Sequence, residues 1–144
     1  MKELSRILYA EDNSNDIELT IAAFQESNLL NPIDIVRDGQ EALDYLFYKG
    51  AYEQRERVKP AFVLLDIKMP KIDGIQVLKA IRESNEYKNL PVVILTSSQM
   101  ESDVYRSYEL GANGFVVKPI DFSDFLKAIK TIGYFWAILN TTPN

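Results

Sequence analysis

Phe62-Val63-Leu64-Leu65-Asp66 decides the reading of this chain. Four apolar residues stand in a row and end abruptly on a carboxylate. A short run buried on both faces marks a strand inside a parallel sheet. The same form recurs at Ile7-Leu8-Tyr9-Ala10, which ends in Glu11-Asp12, and at Asp34-Ile35-Val36, which follows the breaker Asn31-Pro32. It recurs again at Val92-Val93-Ile94-Leu95, ending at Thr96, and at Phe115-Val116-Val117, ending at Lys118-Pro119. Between these runs the apolar spacing turns helical. Asn15 to Glu26 carries Ile17, Ile21 and Phe24, and Gln40 to Tyr48 puts Ala42, Leu43, Leu46 and Phe47 on one face. Ile75 to Arg82 carries Ile75, Leu78 and Ile81; Asp103 to Leu110 closes at Gly111; Phe122 to about Leu139 is the last helix. Five strands alternating with five helices predict an α/β fold: a doubly wound, five-stranded parallel sheet with right-handed crossovers and helices on both faces. The pattern alone leaves the strand order open. The longest polar interruption, Lys49 to Lys59, reads as an extended loop or frayed helix end with solvated charges.

At 144 residues the chain is expected to form one domain, with residues 123–144 as the last helix and a C-terminal tail. The balance of 16 basic against 21 acidic residues gives a net charge of −5, which argues against nucleic acid or an anionic membrane as a partner. There is no cysteine and no histidine. That excludes a disulfide frame, a thiol nucleophile, a thiolate zinc site and any Ser-His triad. The chemistry left to this chain runs on carboxylates, hydroxyls, lysines, backbone groups and hard cations. The charged start, Met1-Lys2-Glu3-Leu4-Ser5-Arg6, does not read as a signal peptide, and no apolar run approaches the ~20 residues that span a bilayer. A cytoplasmic protein is expected.

Open parallel sheets bind ligands outside the carboxyl ends of their strands. The residues at those ends are Glu11, Asp12, Asp66, Thr96 and Lys118. Any one of them alone would merely end its strand, as polar residues commonly do. Three carboxylates, a hydroxyl and an ammonium converging on one edge form a candidate site. Close carboxylates repel and call for a cation, and oxygen-only ligation suits Mg²⁺. A carboxylate beside Mg²⁺ can attack phosphorus and form an aspartyl phosphate. The oxygens of the transferred group then need positive or donor partners, which Mg²⁺, Lys118, Thr96 and backbone N–H groups supply. Asp66, at the end of the most apolar strand, is the nucleophile candidate, and Glu11 and Asp12 suit the metal.

The segments Tyr9-Ala10-Glu11-Asp12-Asn13, Leu64-Leu65-Asp66-Ile67-Lys68-Met69-Pro70 with Asp73-Gly74, Ile94-Leu95-Thr96-Ser97-Ser98, and Gly111 through Pro119 together resemble response-regulator receiver domains over essentially the full length. The resemblance implies the strand order 2-1-3-4-5. It makes Asp66 the phosphoacceptor, Glu11 and Asp12 the acidic metal pair, and the Lys68 backbone carbonyl a further Mg²⁺ ligand. It makes Thr96 the switch hydroxyl, Lys118 the phosphate-binding lysine and Phe115 the aromatic switch; without it, Phe115 would read as a plain core aromatic. Ser97 is small at a position that governs access to the acyl phosphate, and Lys68 and Ser98 sit where the family tunes dephosphorylation. The Lys118–Pro119 bond is usually cis in the family, which only an X-Pro bond makes cheap. The implied function is that of a stand-alone two-component regulator, not an enzyme acting on a substrate. It takes a phosphoryl group from a histidine kinase and repacks the surface of the fourth helix, fifth strand and fifth helix for protein–protein signalling.

The segment before Pro60, Ser107-Tyr108-Glu109-Leu110-Gly111 and the tail Ile132-Gly133-Tyr134-Phe135-Trp136 look like the phytochrome-associated subgroup, which suggests a phytochrome-type kinase partner. In the last helix, Phe125, Leu126, Ile129, Ile132 and Trp136 form a core stripe, while Tyr134, Phe135, Ile138 and Leu139 extend apolar character around it. Those four residues are candidates for a homodimer surface, the plainer reading being a cover over the chain's own domain. A Mg²⁺-dependent aspartate-nucleophile phosphatase would use the same groups, but no cap domain is present to enclose a substrate. A flavodoxin-like cofactor binder is disfavoured because Asn13-Ser14-Asn15-Asp16, not a glycine-rich loop, follows the first strand. A degenerate receiver that only binds proteins is disfavoured by intact Asp66, Thr96 and Lys118.

Overall fold

A computed structural model describes residues 5–26, 30–96 and 106–117, together with residues 123 and 127. The strands are β1 (Ile7–Ala10), β2 (Ile33–Val36), β3 (Phe62–Asp66), β4 (Val92–Thr96) and β5 (Gly114–Val117). All four neighbouring pairs are parallel, in the order β2-β1-β3-β4-β5. The helices α1 (Ser14–Glu26), α2 (Gly39–Phe47) and α3 (Gly74–Glu83) lie between strands, and residues 106–109 are helical before β5.

Side-chain alternation along each strand divides the core in two. Leu8, Ala10, Val63, Leu65, Val92 and Ile94 pack with Ala42, Leu46, Val77, Leu78 and Ile81 of α2 and α3. Ile7, Tyr9, Phe62, Leu64, Val93 and Leu95 pack with Ile17, Ala23 and Phe24 of α1. The three strands that read as most apolar are buried along their whole length. The edge strand β2 departs from that expectation, since Ile33 to Ile35 are only half-buried.

Polar side chains set the helix starts. The Asn13 side chain accepts from the Asp16 N–H at the head of α1. The Asp38 carboxylate accepts from the Glu41 N–H at the head of α2. Asp73 and Gln76 form a reciprocal capping box at the head of α3. All three starts lie just after the carboxyl ends of strands, so the caps also shape the rim of the site.

The 49–59 segment corrects its reading as a merely solvated face. Residues Gly50–Tyr52 form a 3₁₀ turn, and the Tyr52 hydroxyl donates to Glu41. The Arg55 guanidinium lies 3.9 Å from the Tyr45 ring centre, and its Nε donates to the Tyr45 carbonyl at 2.9 Å. Arg57 lies 3.9 Å over Tyr48. Arginine planes stack on aromatic faces while keeping their charge near water, so a charged run can be docked.

Candidate functional site

The strand register brings the acidic residues together. Ala10 pairs with Leu65, so Glu11, just beyond β1, and Asp66, the last residue of β3, follow side by side. Carboxylate oxygens of Glu11, Asp12 and Asp66 lie within 4.8 Å of one another. Glu11 is fully buried and Asp66 is 5% exposed, while Asp12 faces solvent. Two ionised carboxylates at 4.8 Å repel by about 3 kcal/mol at an effective dielectric near 20. Clustering charge at that cost fits a hard divalent cation, which takes oxygen ligands of this kind.

The loop after β3 is held tightly. The Lys68 N–H donates to Asp66 Oδ1 at 3.3 Å, and the Gly74 N–H donates to the Ile67 carbonyl at 2.7 Å. A Cβ on Gly74 would stand 2.2 Å from the Asp66 carbonyl oxygen, so only glycine lets α3 start this close to the site. From the other side, a Cβ on Gly39 would stand 1.8 Å from the Ile72 carbonyl oxygen. Lys71, in the left-handed region at φ 69°, reaches Asp38 at 3.4 Å. A groove of about 450 Å³ opens here, walled by Asp12, Lys68, Met69, Pro70 and Asp73.

The Glu11 carboxylate meets a donor at each of its oxygens. The Asn13 N–H approaches Oε2 at 3.3 Å, and the Tyr9 hydroxyl approaches Oε1 at 3.4 Å. Burial drives the Tyr9 phenol pKa well above its ordinary value; the Thr20 hydrogen bond opposes the rise, and the charges of Glu11, Asp16 and Asp66 add to it.

Thr96, at the end of β4, is 1% exposed and pairs with Val117. Phe115 sits two residues earlier on β5, paired with Ile94, so alternation puts Thr96 and Phe115 on the same face of the sheet. Phe115 is 37% exposed and meets the Tyr108 ring edge-to-face. That overturns its reading as a plain core aromatic. Arg82 clamps the turn before β5, donating to the Gly111 carbonyl through Nε and Nη2, at 3.0 and 2.8 Å, and to the Asn113 side-chain oxygen at 3.0 Å. Lys118, Pro119, Ser97, Ser98 and the dimer candidates Tyr134, Phe135, Ile138 and Leu139 lie outside the described residues.

Sequence reading placed Glu11, Asp12, Asp66 and Thr96 at one edge, and the structure brings them there. It overlooked Tyr9, which reads as one apolar letter among four, and Gly39, Lys71 and Arg82, which act across elements. The pair Asp38-Gly39 was the available signal for the second helix start.

Residues 7–130 match the family described as the response regulator receiver domain. The chain belongs to that family. The response regulator Rcp1 of Synechocystis sp. is 37% identical over 137 residues, which cover 95% of this chain and 92% of Rcp1. The solved Mn²⁺-bound form of Rcp1 superimposes with a TM-score of 0.84 at 36% identity, covering 97% of this chain and 99% of that one. The bacteriophytochrome response regulator RtBRR gives a TM-score of 0.82 at 51% identity, covering 97% of this receiver and 84% of RtBRR. The phosphorylated cyanobacterial phytochrome response regulator RcpA gives 0.83 at 36% identity, with 97% of each chain covered. This receiver is thus similar to phytochrome-associated regulators. It is a signalling module of two-component type, and among its described residues no helix is long and apolar enough to cross a membrane.

Proposed function

We propose that this receiver takes a phosphoryl group onto Asp66 from the phosphohistidine of a phytochrome-type histidine kinase, with Mg²⁺ bound at Glu11, Asp12, Asp66 and the Lys68 backbone carbonyl. The observation that carries this reading is the acidic triad, whose carboxylate oxygens lie within 4.8 Å of one another, with Glu11 fully buried, Asp66 nearly buried and Asp12 exposed. A bound divalent cation supplies charge neutralisation for the phosphoryl oxygens. The chain does the rest. An Asp66 carboxylate oxygen attacks phosphorus, the P–N bond breaks and the imidazole leaves. The Thr96 hydroxyl and the Lys118 ammonium serve the phosphoryl oxygens, a geometric task that accounts for most of phosphoryl-transfer catalysis. Phosphorylation replaces the single carboxylate charge of Asp66 with a phosphoryl group of about −1.5 to −2 and brings new acceptor oxygens, which draw Thr96 inward. Phe115 follows into the vacated space, and the surface around β5 changes partner preference by a shift between two packings.

The Mn²⁺-bound Rcp1 and the phosphorylated RcpA support this reading by similarity. The chain's own turnover is limited to self-catalysed phosphorylation and dephosphorylation. We place it in the cytoplasm, as a single domain that pairs into a homodimer through Tyr134, Phe135, Ile138 and Leu139. The test is intact mass after incubation with Mg²⁺ and acetyl phosphate, beside Asp66→Asn. One phosphoryl adduct on the wild type and none on the variant is the expected result. No adduct from acetyl phosphate or from a phosphorylated bacteriophytochrome kinase would leave a pseudo-receiver that only binds proteins. Light scattering of the Tyr134→Ser/Phe135→Ser variant tests the dimer, which should fall to monomer mass.

A further inference from the structure

Tyr9 carries the one polar side chain on β1 and is fully buried there. Ile7, Leu64, Val93 and Leu95 surround it on its face of the sheet, with Asp66 two residues beyond Leu64 at the carboxyl end. A phenylalanine would fill that space equally well, and a buried hydroxyl without partners costs free energy. The hydroxyl therefore calls for a local reason. It stands 3.0 Å from Thr20 Oγ1, 3.4 Å from the Asp16 carbonyl oxygen and 3.4 Å from Glu11 Oε1. Thr20 is itself fully buried on α1. A phenol has one proton and a threonine hydroxyl has one. When Thr20 donates to the phenol oxygen, the phenol proton is left for Glu11 Oε1 and the Asp16 carbonyl oxygen, both at 3.4 Å.

Glu11 gives that bridge a purpose. A glutamate has one more side-chain torsion than an aspartate, so its carboxylate needs more fixing to meet a cation in one geometry. The Asn13 N–H holds Oε2 from the loop side at 3.3 Å, and Tyr9 meets Oε1 from the core side.

We infer that Tyr9, backed by Thr20 on α1, is a positioning residue that orients the Glu11 carboxylate for the divalent cation and thereby raises cation affinity. The inference rests on the proposed reading of the acidic triad as the cation site. Metal ligands are commonly oriented by such supporting hydrogen bonds, and losing one weakens binding by roughly 10- to 100-fold.

The test uses the full chain and its Tyr9→Phe, Thr20→Val and doubly substituted forms. Mg²⁺ dissociation constants are read by calorimetry, and folding is checked by the urea midpoint. Tyr9→Phe should weaken Mg²⁺ binding by about tenfold. Thr20→Val should weaken it in the same direction, and the double variant should lose less than the product of the two, because the pair acts as one unit. With acetyl phosphate as donor, the Mg²⁺ concentration for half-maximal phosphorylation should rise while the rate at saturating Mg²⁺ holds, a split that general destabilisation would not produce. A folded Tyr9→Phe with wild-type Mg²⁺ affinity overturns the inference. If Tyr9→Phe fails to fold, Thr20→Val decides it by the same criterion. A wild type that binds no Mg²⁺ overturns the reading beneath it, and so the two failures are distinguishable.

Discussion

The Tyr108 and Phe115 rings meet edge-to-face, with centroids 5.6 Å apart and planes at 81°. Both are partly in water, at 48% and 37% exposure. Such aromatic pairs contribute about 0.5–1.5 kcal/mol beyond their area, so in the proposed switch the contact would favour the outward Phe115 by a factor of about 2 to 12. Tyr108→Ala should shift Phe115 toward its inward packing by that factor and speed phosphorylation by acetyl phosphate to a similar degree. A time course of intact mass checks this. An unchanged rate would show that the pair does not bias the switch.

The two glycines that face the loop after β3 should resist substitution. Alanine ordinarily stabilises a helix relative to glycine by about 0.5–1 kcal/mol. Gly39→Ala and Gly74→Ala should do the opposite, because each Cβ would press on a backbone carbonyl at 1.8 and 2.2 Å. Overpacking of this kind costs about 1–3 kcal/mol, visible as a lower urea midpoint. Gly74→Ala should also slow phosphorylation, since the displaced backbone is that of Asp66 itself.

Arg82 is expected to hold the turn that aims β5. Its guanidinium bonds the carbonyls of Leu90 and Gly111 and the side chain of Asn113. The Asn113 side-chain oxygen in turn accepts from the Val92 N–H at 2.8 Å, tying the turn to β4. Arg82→Met keeps the stem and removes the donors. It should cost about 1–3 kcal/mol in urea unfolding and broaden the amide resonances of β5 before those of β1.

Acid should weaken the β2 edge. Burial raises the Asp34 pKa, but hydrogen bonds from Arg6 and Tyr45 outweigh it and hold the carboxyl below its ordinary value. A depressed carboxylate stabilises the fold above its unfolded pKa near 3.9 and loses that contribution as pH falls through the folded value. Unfolding free energy should therefore decline below about pH 4. Asp34→Asn should flatten that decline, as measured by urea titrations at stepped pH.

The carboxylate triad should leave a signature in thermal melts. In a chelator, Asp12→Asn should melt higher than the wild type, because it removes charge from a cluster within 4.8 Å. Mg²⁺ at 100 times its dissociation constant should stabilise the wild type by about 2.7 kcal/mol and the variant by much less. Equal Mg²⁺ responses would exclude Asp12 from the metal site.

Much of this protein is determined by its sequence alone. Short apolar runs ending at Glu11, Asp66 and Thr96 identify the strands and their functional edge, because strand burial and strand exits are local properties of the chain. The quoted motifs then suffice for the family. What they cannot express is contact between distant elements. Only the tertiary structure decides that Tyr9 reaches Thr20 and Glu11, that Gly39 abuts Ile72, that Arg55 stacks on Tyr45, and that Phe115 stands outward against Tyr108. Each of these depends on how helices seat on the sheet. Such seating comes from the summed packing of many residues far apart in the chain, and no pattern along a single segment records it.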